Sequence, residues 1–300
     1  MELKIQGLSK RYPGGVQALS DINLTIGPGM FGLLGPNGAG KSTLMRILAT
    51  LQDADAGTAT LDGIDVLRQK EQVRRVLGYL PQEFGVYPRV SAFSLLDHLA
   101  ALKGIAPRER RWQVVDGLLK RTNLFQVAYR RLGSFSGGMK QRFGIAQALL
   151  GQPRLIIVDE PTAGLDPEER IRFHNLLADI SEQVIVILST HIVADVSDLC
   201  PRMAILNQGR LVATGNPTEL AASLRGRLWR KVVGTGEMDQ HQKEFTVLAT
   251  RRAEGRIVIH VHGEVSPGPG FEAIEPDLED AYFWAISDKG ATASAARAAG

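Results

Sequence analysis

Several absences bound what this chain can be. Its 300 residues include one cysteine, Cys200, so no internal disulfide can form, and a lone thiol fits a reducing compartment. Cys200 reads most simply as a small buried hydrophobe. No apolar run approaches the roughly 18–20 residues that a membrane-crossing helix needs. The longest candidates, such as VIVIL (184–188), have the length of a core strand. The N-terminus MELKIQG lacks a basic region followed by an apolar stretch, so no signal peptide is expected. Aromatic residues make up only 6% of the chain. A strong charge of either sign is missing too: 35 basic against 32 acidic residues leave +3, which by itself does not indicate nucleic acid. Local clusters exist at Arg108, Arg110 and Arg111, at Arg130 and Arg131, and at Arg225, Arg227, Arg230 and Lys231. These read as solvated faces. No internal repeat is visible.

What is present is an ordinary well-cored composition, 44% hydrophobic and 22% charged. From residue 1 to about 220, short apolar strands alternate with amphipathic helices, which predicts an α/β fold with a largely parallel sheet. MFGLLG (30–35) reads as a buried strand, followed by a glycine loop and a helix from Lys41 to about Thr50. RLIIVDE (154–160) and QVIVILST (183–190) read as further buried strands around a helix near 167–180. Between about 83 and 150 the character turns helical, with SAFSLLDHLAALKG (91–104) and ERRWQVVDGLLKRTNL (109–124) carrying helical spacing, as an inserted helical subdomain would. After Leu220, EFTVLATRR and RIVIHVHG read as a hairpin joined at AEG (253–255). SPGPG (266–270) marks a turn and DLEDAYFWAISD (277–288) a short helix. Residues 221–288 are therefore expected to form a small α+β companion domain, and 289–300 a disordered tail.

The chemistry concentrates in a few stretches. GPNGAGKST (35–43) fits G-x-x-x-x-G-K-[ST] between a strand and a helix. Gly35, Gly38 and Gly40, with Pro36, Asn37 and Ala39 between them, let the backbone wrap phosphate oxygens with amides. Lys41 reaches the terminal phosphates, Ser42 can ligate Mg²⁺, and Thr43 completes the motif. LIIVDE places Asp159 at a strand end, where a metal would lie, and Glu160 beside it, where a carboxylate could polarise water. STH ends the following strand, and His191 could donate to a terminal phosphate and hold the water's geometry. SFSGGMKQR (134–142) adds a serine and two glycines ahead of a helical pattern, a second potential anion site about a hundred residues from the first.

The ordered set GPNGAGKST, YLPQ (79–82), SFSGG, IIVDEPTAGLDP and STH resembles the nucleotide-binding domain of an ATP-binding cassette (ABC) protein over roughly residues 2–220. The resemblance implies a P-loop NTPase core with an inserted helical subdomain, using ATP and Mg²⁺. It implies that Tyr12 stacks on adenine, that Gln82 touches Mg²⁺ and water, and that Asp166 crosses to a second subunit. It further implies that Ser136, Gly137 and Gly138 close over the ATP of a second copy, giving a two-fold dimer with two ATP sites. The usual signature is Leu-Ser-Gly-Gly-Gln, and this chain has Phe135 and Met139 at its outer positions. ATP would then favour the closed dimer, and hydrolysis would release it.

Only about a hundred residues separate Lys41 from Ser136, without heptads, and there is one P-loop. That favours a transporter motor acting on separate membrane permease subunits at the cytoplasmic face of the cell membrane, with no nucleic acid expected. EPDLEDAYFWAI (275–286), with Pro276, Leu278, Glu279 and Asp280, is similar to motors of the ABC-2 type exporter group. An importer motor and a non-transport ABC ATPase acting on nucleic acid or ribosomes are the alternatives. His260 and His262, at i and i+2, read as an exposed polar strand face rather than a metal pair, and Trp112, Trp229 and Trp284 read as packing.

Overall fold

The computed structural model describes residues 1–287 apart from 163, 235 and 254. The expected tail at 289–300, and one residue of the expected hairpin turn, Glu254, lie outside the described residues. The first part of the chain supplies β1 (Leu3–Arg11), β2 (Gln17–Ile26), β3 (Gly29–Leu34), α1 (Lys41–Leu48), β4 (Ala56–Leu61), β5 (Ile64–Asp65), α2 (Lys70–Arg75) and β6 (Leu77–Leu80). A helical region follows, with α3 (Ala92–Leu102), α4 (Arg108–Arg121) and α5 (Gly137–Ala148). The chain then returns through β7 (Leu155–Asp159), α6 (Pro167–Ser181), β8 (Ile185–Thr190), α7 (Val193–Leu199), β9 (Arg202–Asn207), β10 (Arg210–Gly215) and α8 (Pro217–Ala222). It ends with β11 (Leu228–Val233), α9 (Met238–Glu244), β12 (Thr246–Ala253), β13 (Arg256–His262), β14 (Glu272–Ala273) and α10 (Leu278–Ile286).

The central six-stranded sheet has the order β10-β9-β3-β8-β7-β6, parallel except for the β9–β10 pair. Every residue of β7 and β8 is buried, as strands covered on both faces must be. Ile157 and Ile187 face the cluster around α1, whereas Ile156, Val158, Val186 and Leu188 face the cluster containing α6 and α7. The largely parallel expectation fails for the first strands. β2, β1, β4 and β5 form a separate antiparallel sheet. The link between β1 and β2 is too short to hold a crossover helix, so the pair closes as a hairpin.

Cap residues fix the helix starts. Ser91, Ser136 and Asp166 each accept from the backbone N–H three residues on, at 3.2, 3.2 and 2.9 Å. Asp277 and Asp280 form a reciprocal capping box on α10.

α10 gives the C-terminal region a shared core. Leu278, Tyr282 and Ala285 pack in the same cluster as Cys200, Met203 and Ile205 of the main fold, and Asn207 Nδ2 donates to the Ile286 carbonyl at 3.2 Å. The opposite side of α10 covers the antiparallel sheet β12-β13-β11-β14. This overturns the exposed-face reading of the histidines. His260 is buried with Nδ1 2.7 Å from Asp280 Oδ1, and the His262 ring stacks on Trp284 at 3.9 Å. The strand face is polar because a helix N-terminus with acidic side chains lies on it. The solvated-face reading of the basic clusters fits the third one, where Arg225, Arg227 and Arg230 pair with Glu275, Glu264 and Glu272 at the surface.

Candidate functional site

The site forms where four neighbouring strands end together. Leu34 of β3 pairs with Thr190 of β8, Ser189 with Asp159 of β7, and Val158 with Leu80 of β6. The carboxyl ends of parallel strands, where loops diverge, are the usual ligand crevice of such sheets.

Residues 35–40 link β3 to α1. A Cβ on Gly35 would stand 2.3 Å from the Leu206 carbonyl oxygen, so only glycine lets the loop lie against β9. Gly40 caps α1 at φ +106°, a conformation side chains disfavour. The Gly209 N–H donates to the Ala39 carbonyl at 2.9 Å and pins the loop from the β9–β10 turn. Lys41 is almost fully buried, and its Nζ donates to the carbonyls of Gly35 at 2.6 Å and Pro36 at 3.2 Å. Burial pushes the ammonium pKa down, and the charges of Glu160 and Asp159 oppose that shift. Ser42 is exposed at the helix start. Thr43 Oγ1 lies 3.2 Å from the Tyr12 hydroxyl, which also bonds Gln52 at 3.1 Å. The Thr43 bond draws the Tyr12 pKa down.

Asp159 is 5% exposed, and burial pushes its carboxyl pKa up. Its Oδ1 and the Ser189 Oγ are both buried and make no hydrogen bond of ordinary geometry, while the Ser189 hydroxyl stands close enough to oppose part of that shift. Glu160 follows at φ +48°, a left-handed turn that breaks the strand's alternation. Its N–H is fixed to the Ser189 carbonyl at 2.8 Å, and its Oε2 lies 2.8 Å from His191 Nδ1. Two adjacent carboxylates thus take different partners beside one loop. Gln82 is exposed two residues beyond β6.

Ser136, Gly137, Gly138 and Asp166 lie on other elements. Ser136 and Gly137 are exposed at the start of α5, while Gly138 is buried so tightly that a Cβ would stand 2.3 Å from Glu169 Oε2. Asp166 is exposed at the start of α6. Among the described residues, no hydrogen bond or ion pair joins these four to residues 35–43. The unusual signature positions have packing roles: Phe135 is buried in the helical region's core, and Met139 packs against it. The sequence reading gave STH a role through His191 alone and not Ser189, and it missed Gln52 and the Gly209 turn. Their closeness to the loop comes from strand register and sheet order, which no local pattern announces.

Among the described residues, no group of three His, Cys, Asp or Glu is placed to hold a metal, and no helix is long and apolar enough to cross a membrane.

The ABC transporter family matches residues 19–163. Over 227 residues, 75% of this chain, the sequence is 36% identical to the probable multidrug ABC transporter ATP-binding protein YbhF of Escherichia coli (strain K12), of which it spans 39%. It is 33% identical over 226 residues to the linearmycin resistance ATP-binding protein LnrL of Bacillus subtilis (strain 168), covering 75% of this chain and 72% of that one. Among solved structures, a dimeric post-hydrolysis state of the ATP-binding cassette MJ0796 bound to ADP and Pi superposes with a TM-score of 0.65 and 27% identity. It covers 71% of this chain and 98% of that one. The 35–43 loop and the Asp159–Glu160 pair lie within the stretch that the family matches, and the chain belongs to the ABC transporter family as an ATP-binding cassette of the kind that hydrolyses ATP.

Proposed function

We propose that this chain is the motor subunit of an ABC exporter of the ABC-2 type, working as a dimer on separate permease subunits at the cytoplasmic face of a membrane. The observation that carries the catalytic part is the 2.8 Å contact of Glu160 and His191 beside the buried Asp159 and the 35–43 loop. The names of YbhF and LnrL, multidrug and linearmycin resistance, support export.

The loop amides and Lys41 bind the phosphates, and Tyr12 packs against the base. Glu160 accepts the proton of the attacking water, and His191 orients that carboxylate through Nδ1 and faces the terminal phosphate. Ser136, Gly137 and Gly138 of a second copy close over the nucleotide, with Asp166 at the same interface. The exposure of Ser136, Gly137 and Asp166 leaves them free to do so. The residues fit Mg²⁺: Asp159 Oδ1 is a buried oxygen that makes no hydrogen bond of ordinary geometry, and Ser42 and Gln82 add oxygens. Mg²⁺ commonly takes one or two carboxylates and completes its shell with phosphates and water. When bound, the ion neutralises charge on the phosphate oxygens.

The test is Glu160→Gln. Turnover should fall about 100-fold or more, while ATP binding persists and a nucleotide-dependent dimer accumulates on sizing. Turnover near wild type would remove Glu160 from the chemistry. A monomer at saturating Mg-ATP would count against the two-copy site.

A further inference from the structure

Asp195, in α7, has no solvent exposure, and three side chains from two other segments converge on it. Thr162 Oγ1 donates to its Oδ2 at 2.6 Å. Arg170 reaches Oδ1 with Nε at 2.8 Å and Nη2 at 2.7 Å. His174 Nε2 lies 2.9 Å from the same oxygen. The arrangement has a definite place in the chain. Thr162 stands two residues beyond Glu160, and Asp195 four residues beyond His191. Arg170 and His174 belong to α6, the helix that Asp166 caps.

A buried carboxylate loses its hydration and recovers only part of that cost from its partners; an apolar side chain of the same size would hold the helices together as well. Here the polar group sits where two site-bearing segments leave neighbouring strands. α7 is packed on β3 and β8, so Asp195 is a fixed post. Thr162 lies between Glu160 and Asp166 and is tied to that post by its hydroxyl. The left-handed backbone at Glu160 makes such a tether useful, because a residue at φ +48° persists only when its surroundings hold it.

We infer that Thr162 and Asp195 are positioning residues: together they hold the 160–166 segment so that Glu160 stays on His191 and aimed at the phosphate loop. The inference rests on the catalytic reading of Glu160 given above. Neither residue touches the reacting atoms. Their effect runs through the placement of Glu160, where an error of about 1 Å can cost a hundredfold in rate.

Thr162→Val removes only the hydroxyl and keeps the shape, and Thr162→Ser keeps the hydroxyl. On the full chain, amide exchange across 159–166 and ATP turnover are measured with nucleotide affinity and melting temperature. Thr162→Val should speed exchange in that segment and lower kcat about 10- to 100-fold, with ATP affinity changed less than about twofold. Thr162→Ser should restore both. Asp195→Asn also removes the charge facing Arg170 and His174, so it should cost more stability, and Thr162→Val should add little to exchange or kcat in that background. The inference is overturned if exchange and kcat stay at wild-type values in Thr162→Val. It is equally overturned if affinity, melting temperature and kcat fall together, or if Thr162→Ser fails to rescue. Glu160→Gln serves as the separate control. If that variant keeps its turnover, the catalytic reading fails; if it is inactive while Thr162→Val is normal, only the positioning role fails.

Discussion

At Asp159 the demands of stability and of the proposed site conflict, because a carboxylate proposed to meet a cation must be ionised there, and burial raises its pKa. A raised folded-state pKa means that the native chain holds this proton to higher pH than the unfolded chain does. Stability therefore falls as pH rises from 3.8, the ordinary value, through the raised one, and the penalty is complete above it. Asp159→Asn removes the charge without changing the shape. At neutral pH it should raise the melting temperature by about 2 °C while abolishing Mg-dependent turnover. The gain should shrink as pH falls through the raised pKa towards 3.8 and vanish below it, where both states carry the proton. Calorimetry at pH 7 and pH 5 checks the sign, and a lower melting temperature at pH 7 would mean that Lys41 already compensates the charge. The lone Cys200 shows the same physics: burial pushes its thiol up to about 12, so it stays protonated and packs among hydrophobes.

At the scale of elements, the phosphate loop shows how little of a site's tightness is local. The motif was legible because its glycines and lysine recur at fixed spacing between strand and helix. The reason Gly35 must be glycine was not, since the obstacle is the Leu206 carbonyl on a strand about 170 residues away. Gly35→Ala puts a methyl 2.3 Å from that oxygen, and neither backbone can yield without moving β9. It should cost about 1–3 kcal/mol of stability and weaken ATP binding, read by urea unfolding and nucleotide titration. An unchanged urea midpoint would show that the loop relaxes freely. The same split runs through the other elements. β7 and β8 were readable as continuous apolar runs, and α6 is announced by Asp166-Pro167, a cap followed by a first-turn proline. The antiparallel β1–β2 sheet was folded into a single α/β alternation, because strand patterns say nothing of their partners. His260 and His262 share one face of β13, as their spacing says, but that face was read as exposed, and nothing within the strand says that α10 covers it.

For the molecule as a whole, the question is whether residues beyond 220 stand apart from the cassette. The change of composition after Leu220 marks a separate antiparallel sheet with its own small core of Val233, Ile259 and Val261. Yet α10 inserts Leu278, Tyr282 and Ala285 among Cys200, Met203 and Ile205, while its acidic N-terminal turn holds Arg251 of β12. It therefore belongs physically to both regions, and a chain ending at 220 would expose the apolar surface that α10 covers. If the two regions unfold as one unit, Tyr282→Ala, which leaves a cavity in the shared core, should destabilise both together by about 3 kcal/mol. Calorimetry should then show one transition shifted down as a whole, and ATP should raise it whether or not the substitution is present, because the bound nucleotide stabilises the same unit. Two transitions, of which ATP moves only one and Tyr282→Ala only the other, would mean that α10 is merely lodged against the cassette. The mixed core makes the first outcome the expected one, since α10 leaving the cassette would uncover Leu278, Tyr282 and Ala285, and the sheet leaving α10 would uncover the buried His260–Asp280 pair.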